Sequence, residues 1–203
     1  MNLDQEINRL LDIMPASGRM FGKIINKPQQ TQVIVAPTPK PWSQATRPLY
    51  INFDLWRQLS RGERDLLLLT TISNVLGVQW LKPNIYQGIA LAGLTGVVVQ
   101  ATQKDALGII VAGSLTAIAI NQIWRNNRSL QKYLEADEKA IKIAARRGYT
   151  EVEAAKYLLS ALESLPQLEN RQGLDFIELL RCQNLRVLGN ISPVGIPENV
   201  RKQ

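Results

Sequence analysis

The chain has 203 residues, 45% hydrophobic and 20% charged, so it can bury a core, yet it contains no histidine and a single cysteine, Cys182. These two counts exclude a Ser-His-Asp triad, a histidine-activated thiol, an HExxH zinc site, an intrachain disulfide, a CxxC pair and any multi-cysteine metal site. The 24 Lys+Arg against 17 Asp+Glu give a net charge of +7, which suits an anionic partner.

In chain order, Leu3, Ile7, Leu10, Leu11 and Met14 fall at helical spacing and predict an amphipathic helix over about 3–13, ended before Pro15. The acidic Asp4 and Glu6 and the lack of an apolar core segment argue against a signal peptide. Residues 15–30 are rich in turn formers and are expected to wrap over the surface. The β-branched run 31–37 reads as a strand, the proline-rich 38–48 as a loop and 49–53 as a second strand, with Asp54 capping a short turn through Leu59. Ser60 and Glu63 have the spacing of a capping box, opening a helix to about Gly77 that is apolar nearly all round and therefore buried.

Ile85–Thr102 and Ala106–Trp124 are two uncharged stretches separated by Gln103, Lys104 and Asp105, the spacing of a helical hairpin. Gly88, Ala92 and Gly96 form one stripe of small residues, and Gly108, Ala112 and Thr116 form another, which permits close helix approach as in lipid. Their lengths are marginal against the roughly 20 residues needed to span a bilayer, so the expectation is a hairpin inserted in or docked on a membrane, with a buried hairpin in a water-soluble protein as the alternative. Basic residues bracket this block: 1–84 carries 10 basic and 6 acidic residues, 125–147 carries 7 and 3. With aromatics at 6%, this distribution points away from nucleic acid and toward an anionic membrane leaflet. Beyond the block, Ser129–Arg147 reads as a helix ended by Gly148. Thr150 and Glu153 form a second capping box, for a helix reaching Leu165 before Pro166, and 174–188 is a last amphipathic helix before a Pro/Gly-rich tail.

The strings LYINFDLWRQLSRGERDLLLLTTISN, YLEADEKAIKIAARRGY and TEVEAAKYLLSAL resemble, in order and spacing, a zinc metallopeptidase domain of the HtpX and CAAX-prenyl-protease type. The matches are Leu59-Ser60, Glu63, Ala136-Asp137, Ala140, Gly148-Tyr149 and Ala154-Ala155, within roughly residues 49–165. The opening MPASGRM also resembles an uncharacterised cyanobacterial family. The peptidase resemblance implies that Thr70, Thr71 and Asn74 stand where the family has His, Glu and His, and that Tyr133 stands at the third zinc ligand. It further implies that Asp137 is the carboxylate beside the site. No zinc or catalytic residue is then expected, and no cofactor. Thr70, Thr71, Asn74, Tyr133 and Asp137 are expected to form a polar cluster at the emptied site.

The expected architecture is mainly α with a small β element, a peptidase-like helical domain with a Gly/Ala-rich hairpin. Its divisions are an N-terminal helix and wrap (1–30), the peptidase-like domain (31–84 and 125–166), the inserted hairpin (85–124), and a C-terminal helix and tail (167–203). The expected function is that of a non-catalytic, membrane-associated scaffold, assembly or regulatory protein with a protein partner. By the positive-inside rule both termini are cytoplasmic. The alternatives are a soluble basic module binding protein or nucleic acid, and an enzyme with a non-histidine site. No GxGxxG, GxxxxGK or SxxK string occurs to support the last.

Overall fold

Local side-chain caps set most helix starts in the computed structural model, which describes residues 2–37, 46–77 and 130–191. The chain divides into two units, Met1–Val78 with Leu130–Gln203, and Gln79–Ser129. The described residues all belong to the first, so the hairpin positions Gly88, Ala92, Gly96, Gly108, Ala112 and Thr116 lie outside them. This unit is mainly helical with one small sheet.

Asn2 accepts from the Asp4 amide and opens α1 (Leu3–Ile13), whose Leu10 is fully buried. Residues 15–30 depart from the expected wrap: they form α2 (Ala16–Phe21) and strand β1 (Gly22–Asn26). The reason is non-local. β1 pairs in parallel with β3 (Arg47–Ile51), with Gly22 opposite Arg47 and Asn26 opposite Ile51. Strand β2 is confined to Ile34–Val35 and pairs antiparallel with β3, giving the order β1-β3-β2. The short turn expected under an Asp54 cap is α3 (Phe53–Trp56), and its cap is Asn52, whose side-chain oxygen accepts from the amides of Asp54 and Leu55. Asn52 is buried, and its amide group also donates to the carbonyls of Pro28 and Gln30, tying the loop after β1 to α3.

The Ser60 capping box opens α4 (Arg61–Gly77): Glu63 accepts from the Ser60 amide at 2.6 Å, and Ser60 Oγ accepts from the Glu63 amide at 3.4 Å. Leu66, Leu67, Leu68, Leu69, Ile72 and Val75 are all buried, because α5 (Leu130–Ala145) and α6 (Glu151–Leu168) flank α4 while α1, α2 and β2 touch it elsewhere. Gly148, just past α5, has φ of +97°, where a side chain would be strained. The Thr150 capping box opens α6. This helix does not stop before Pro166 but continues to Leu168 with Pro166 buried inside it. A proline in the last turn removes one backbone bond, and the next, from the Glu169 amide to the Leu165 carbonyl, re-forms at 2.9 Å. Asp175 and Glu178 make a third capping box, for α7 (Phe176–Leu188).

Two hydrogen bonds set the direction of the central pair. Asp65, early in α4, accepts from Tyr149 just beyond α5, and Thr70, further along α4, donates to Asp137, earlier in α5. The helices are therefore antiparallel, and Gly77 and Leu130 lie at the same end of the unit.

Candidate functional site

The deepest polar group is Asp137, fully buried on the inner face of α5. Thr70 of α4 donates to its Oδ1, and Arg181 of α7 grips it with two bonds, Nε to Oδ2 at 2.9 Å and a terminal nitrogen to Oδ1 at 2.8 Å. Arg181 is itself buried, and its guanidinium carbon lies 5.4 Å from the centre of the Tyr133 ring, a cation–π distance. Burial alone would lower the pKa of Arg181, but the charge and hydrogen bonds of Asp137 outweigh it and raise it. Three helices are thus joined at one buried bidentate pair.

Of the residues proposed from the sequence, Thr70, Tyr133 and Asp137 come together here. Thr71 does not join them: its hydroxyl donates to the Leu67 carbonyl one turn back in its own helix. Asn74 is half-buried and makes no hydrogen bond to Asp137. Arg181 was not singled out. Its signal is the stripe Ile177, Arg181, Leu185 at i, i+4, i+8, where an arginine on an inward face demands a buried carboxylate.

A second cluster, also not singled out, joins α1 to α4. Glu6 and Asp65 are both buried. Arg9 bonds Glu6 through two nitrogens at 2.8 Å each and also pairs with Asp65, while Arg64 reaches Glu6 at 2.8 Å. The Trp56 indole donates to Glu6 at 3.2 Å and the Tyr149 hydroxyl to Asp65 at 2.7 Å. The hydrogen bonds from Arg9 hold the Glu6 carboxyl below its ordinary range, against the opposing effect of burial. Burial and the bond to Asp65 push the Tyr149 hydroxyl up to about 12. A third set closes the other side: Arg171 pairs with Glu169 at 2.9 Å and Glu178 at 3.0 Å, and Glu169 accepts from the Val33 amide beside β2 at 2.8 Å.

Among the described residues no group of three His, Cys, Asp or Glu side chains could hold a metal ion, and no helix is long and apolar enough to cross a membrane. A groove of about 540 Å³ between α3 and the end of α6 is lined by Leu55, Leu59, Glu63, Gln167 and Leu168. Its carboxylate, Glu63, is occupied by the Ser60 amide and the Ser160 hydroxyl. Cys182 is buried, and burial pushes its thiol up to about 11.

A family model described as "Protein of unknown function (DUF3318)" matches residues 8–149. The chain belongs to the DUF3318 family. The match runs from α1 through α5, so it includes Thr70, Tyr133, Asp137, Arg9, Asp65 and Tyr149 and stops short of Arg181. The chain is also similar to the thylakoid membrane protein slr1949 of Synechocystis sp., 29% identical over 128 residues, covering 61% of this chain and 60% of that protein. No solved structure matches the chain.

The family match overturns the metallopeptidase resemblance, since no family of the HtpX or CAAX-protease type matches. The strings that carried it are helix punctuation. A Ser-x-x-Glu box starts any well-capped helix, an alanine-containing charged string fits any partly buried helix, and Gly-Tyr marks a helix end. In this DUF3318 chain the peptidase-like frame, the pseudoprotease label and the reading of Thr70, Asn74 and Tyr133 as vacated ligand positions and Thr71 as the vacated catalytic glutamate go with it.

Proposed function

We propose that this DUF3318 chain is a non-catalytic, membrane-associated protein that works by binding, as a scaffold, assembly or regulatory factor for a protein complex at a thylakoid-type membrane. The observation that carries the reading is its similarity to a protein named as a thylakoid membrane protein. Its sequence adds support. The block 85–124 holds two charges, Lys104 and Asp105, and is bracketed by Lys82, Arg125 and Arg128. Gly77 and Leu130 lie at one end of the folded unit, so the chain leaves for this block and returns at the same place. The positive bracket supports a topology with that end, and both termini, at the cytoplasmic face.

The non-catalytic part is supported by how the buried carboxylates are used. Glu6, Asp65 and Asp137 each accept from a guanidinium together with a hydroxyl or indole donor, an arrangement that locks helices together and leaves no free base. Carbonate extraction of membranes from cells expressing the full chain tests the reading. The chain is expected in the membrane pellet, or released from it as a peripheral protein. Full-length protein found in the soluble fraction before extraction would overturn it.

A further inference from the structure

Residues 13–53 contain Arg19, Lys23, Lys27, Lys40 and Arg47 and no aspartate or glutamate at all. This is the stretch that folds into α2 and the whole sheet. Such a run supplies cations and no carboxylate of its own to that flank of the folded unit.

The same flank exposes apolar side chains. Met20 is 71% exposed and Phe21 39%, next to each other at the end of α2. The helix cannot turn them inward, because its buried face is already in contact with α4: a methyl group added at Gly18 would come within 3.2 Å of Ile72, and one at Gly22 equally close to the same side chain. Arg19, directly before the pair, and Lys23, two residues after it, are exposed and form no ion pair among the described residues. Two large apolar side chains set between two unpaired cations have the composition of an interfacial anchor: the apolar tips enter the acyl boundary and the cations meet acidic headgroups.

The position of this corner in the fold names its occupant. Gly22 pairs with Arg47, and the Arg47 guanidinium donates to the Val75 carbonyl in the last turn of α4. The corner therefore sits at the Gly77 and Leu130 end of the unit, where the chain departs for its uncharged block. A surface that is basic, studded with exposed apolar groups and placed beside that exit is positioned against the bilayer.

We infer that the α2–β1 corner, Arg19, Met20, Phe21 and Lys23, is a docking surface for an anionic lipid bilayer. This rests on the membrane reading proposed above and adds a contact made by the folded unit itself. The test uses the full chain carrying Met20→Cys, labelled with a solvatochromic nitrobenzoxadiazole dye. Cys182 is buried with a raised pKa and does not compete for label at neutral pH. Gln58→Cys, exposed in the turn between α3 and α4, is the control at the other end. Each protein is mixed with phosphatidylcholine vesicles, with or without phosphatidylglycerol, and floated.

The expected result is a blue shift and rise in emission at position 20 with anionic vesicles, absent with neutral ones, reversed by high salt and missing at position 58. Arg19→Gln with Lys23→Gln should remove it. If the chain floats with anionic vesicles but the dye at position 20 stays unshifted, the corner is not the contact and the membrane reading survives; an equal shift with neutral vesicles would overturn the anionic selectivity inferred here. If the chain does not float at all, both fail. A shift at position 20 produced by membrane extract freed of lipid would assign the corner to a protein partner and overturn the inference.

Discussion

Replacing Arg181 with methionine should be among the most damaging single changes outside the apolar core. Asp137 is completely buried, and Arg181 supplies two of the three hydrogen bonds it receives. Methionine fills much of the arginine volume, so the packing loss is small and the measured cost reports the abandoned carboxylate. Breaking a buried ion pair from one side costs about 3–5 kcal/mol. For a chain of this size each kcal/mol moves Tm by about 2–4 °C, so the midpoint should fall by roughly 6–20 °C. Urea unfolding followed by far-ultraviolet circular dichroism gives the free energy directly. The triple variant Thr70→Val, Asp137→Leu, Arg181→Met removes all the polar partners together and should recover to within about 2 kcal/mol of the parent, because an apolar replacement of a whole buried pair is often near neutral. If Arg181→Met alone costs less than about 1 kcal/mol with an unchanged urea slope, the guanidinium is not holding a desolvated carboxylate.

Three further outcomes follow from the other contacts. Glu6 and Glu178 have folded pKa values below the ordinary 4.5, the first held down by Arg9 and the second by Arg171 and the Asp175 amide against the effect of burial, so each binds its proton more weakly folded than unfolded. Their contribution is complete above pH 4.5 and is lost as pH falls through the folded values. Urea midpoints should thus be flat from pH 7 to 5 and drop below, and the drop should shrink in Glu6→Gln. Gly62→Ala should destabilise by about 1–3 kcal/mol despite the better helix propensity of alanine, since the new methyl would lie 2.6 Å from the Tyr157 ring; thermal unfolding measures it. Cys182, with its pKa pushed up to about 11, should resist a disulfide reagent at pH 8 in the folded chain and react fully in denaturant, as a timed thiol assay will show.

The elements readable from sequence are those decided by short-range chemistry. α1, and the starts of α4 and α6, follow from apolar spacing and from Ser or Thr three residues before Glu. A capping bond is made within one turn whatever the rest of the chain does. β1 was not readable. GKIIN has no partner within its own neighbourhood, and it becomes a strand only because Arg47–Ile51 arrives beside it across a long connection. Asn52 displaced Asp54 as the cap because it can also donate to Pro28 and Gln30, which an aspartate cannot do. For the site, the place of Thr70 on an apolar helix already demands a polar partner. What one residue cannot reveal is the bidentate arginine that completes the group, since α7 comes more than a hundred positions later. Reading helix punctuation as a peptidase pattern was the larger error, because those strings mark where helices begin and end in any fold.

The antiparallel pairing of α4 with α5 also constrains events at the ribosome. α4 emerges with its leucines on every side, but the helices that cover it are complete only at Leu168, about 90 residues beyond Gly77, which at about 5–20 residues per second is a wait of roughly 5–18 s. During that interval the intervening uncharged block is itself being synthesised. The core can close only after α5 and α6 have cleared the exit tunnel, so the order of synthesis leaves the leucines of α4 uncovered until most of the chain has been made.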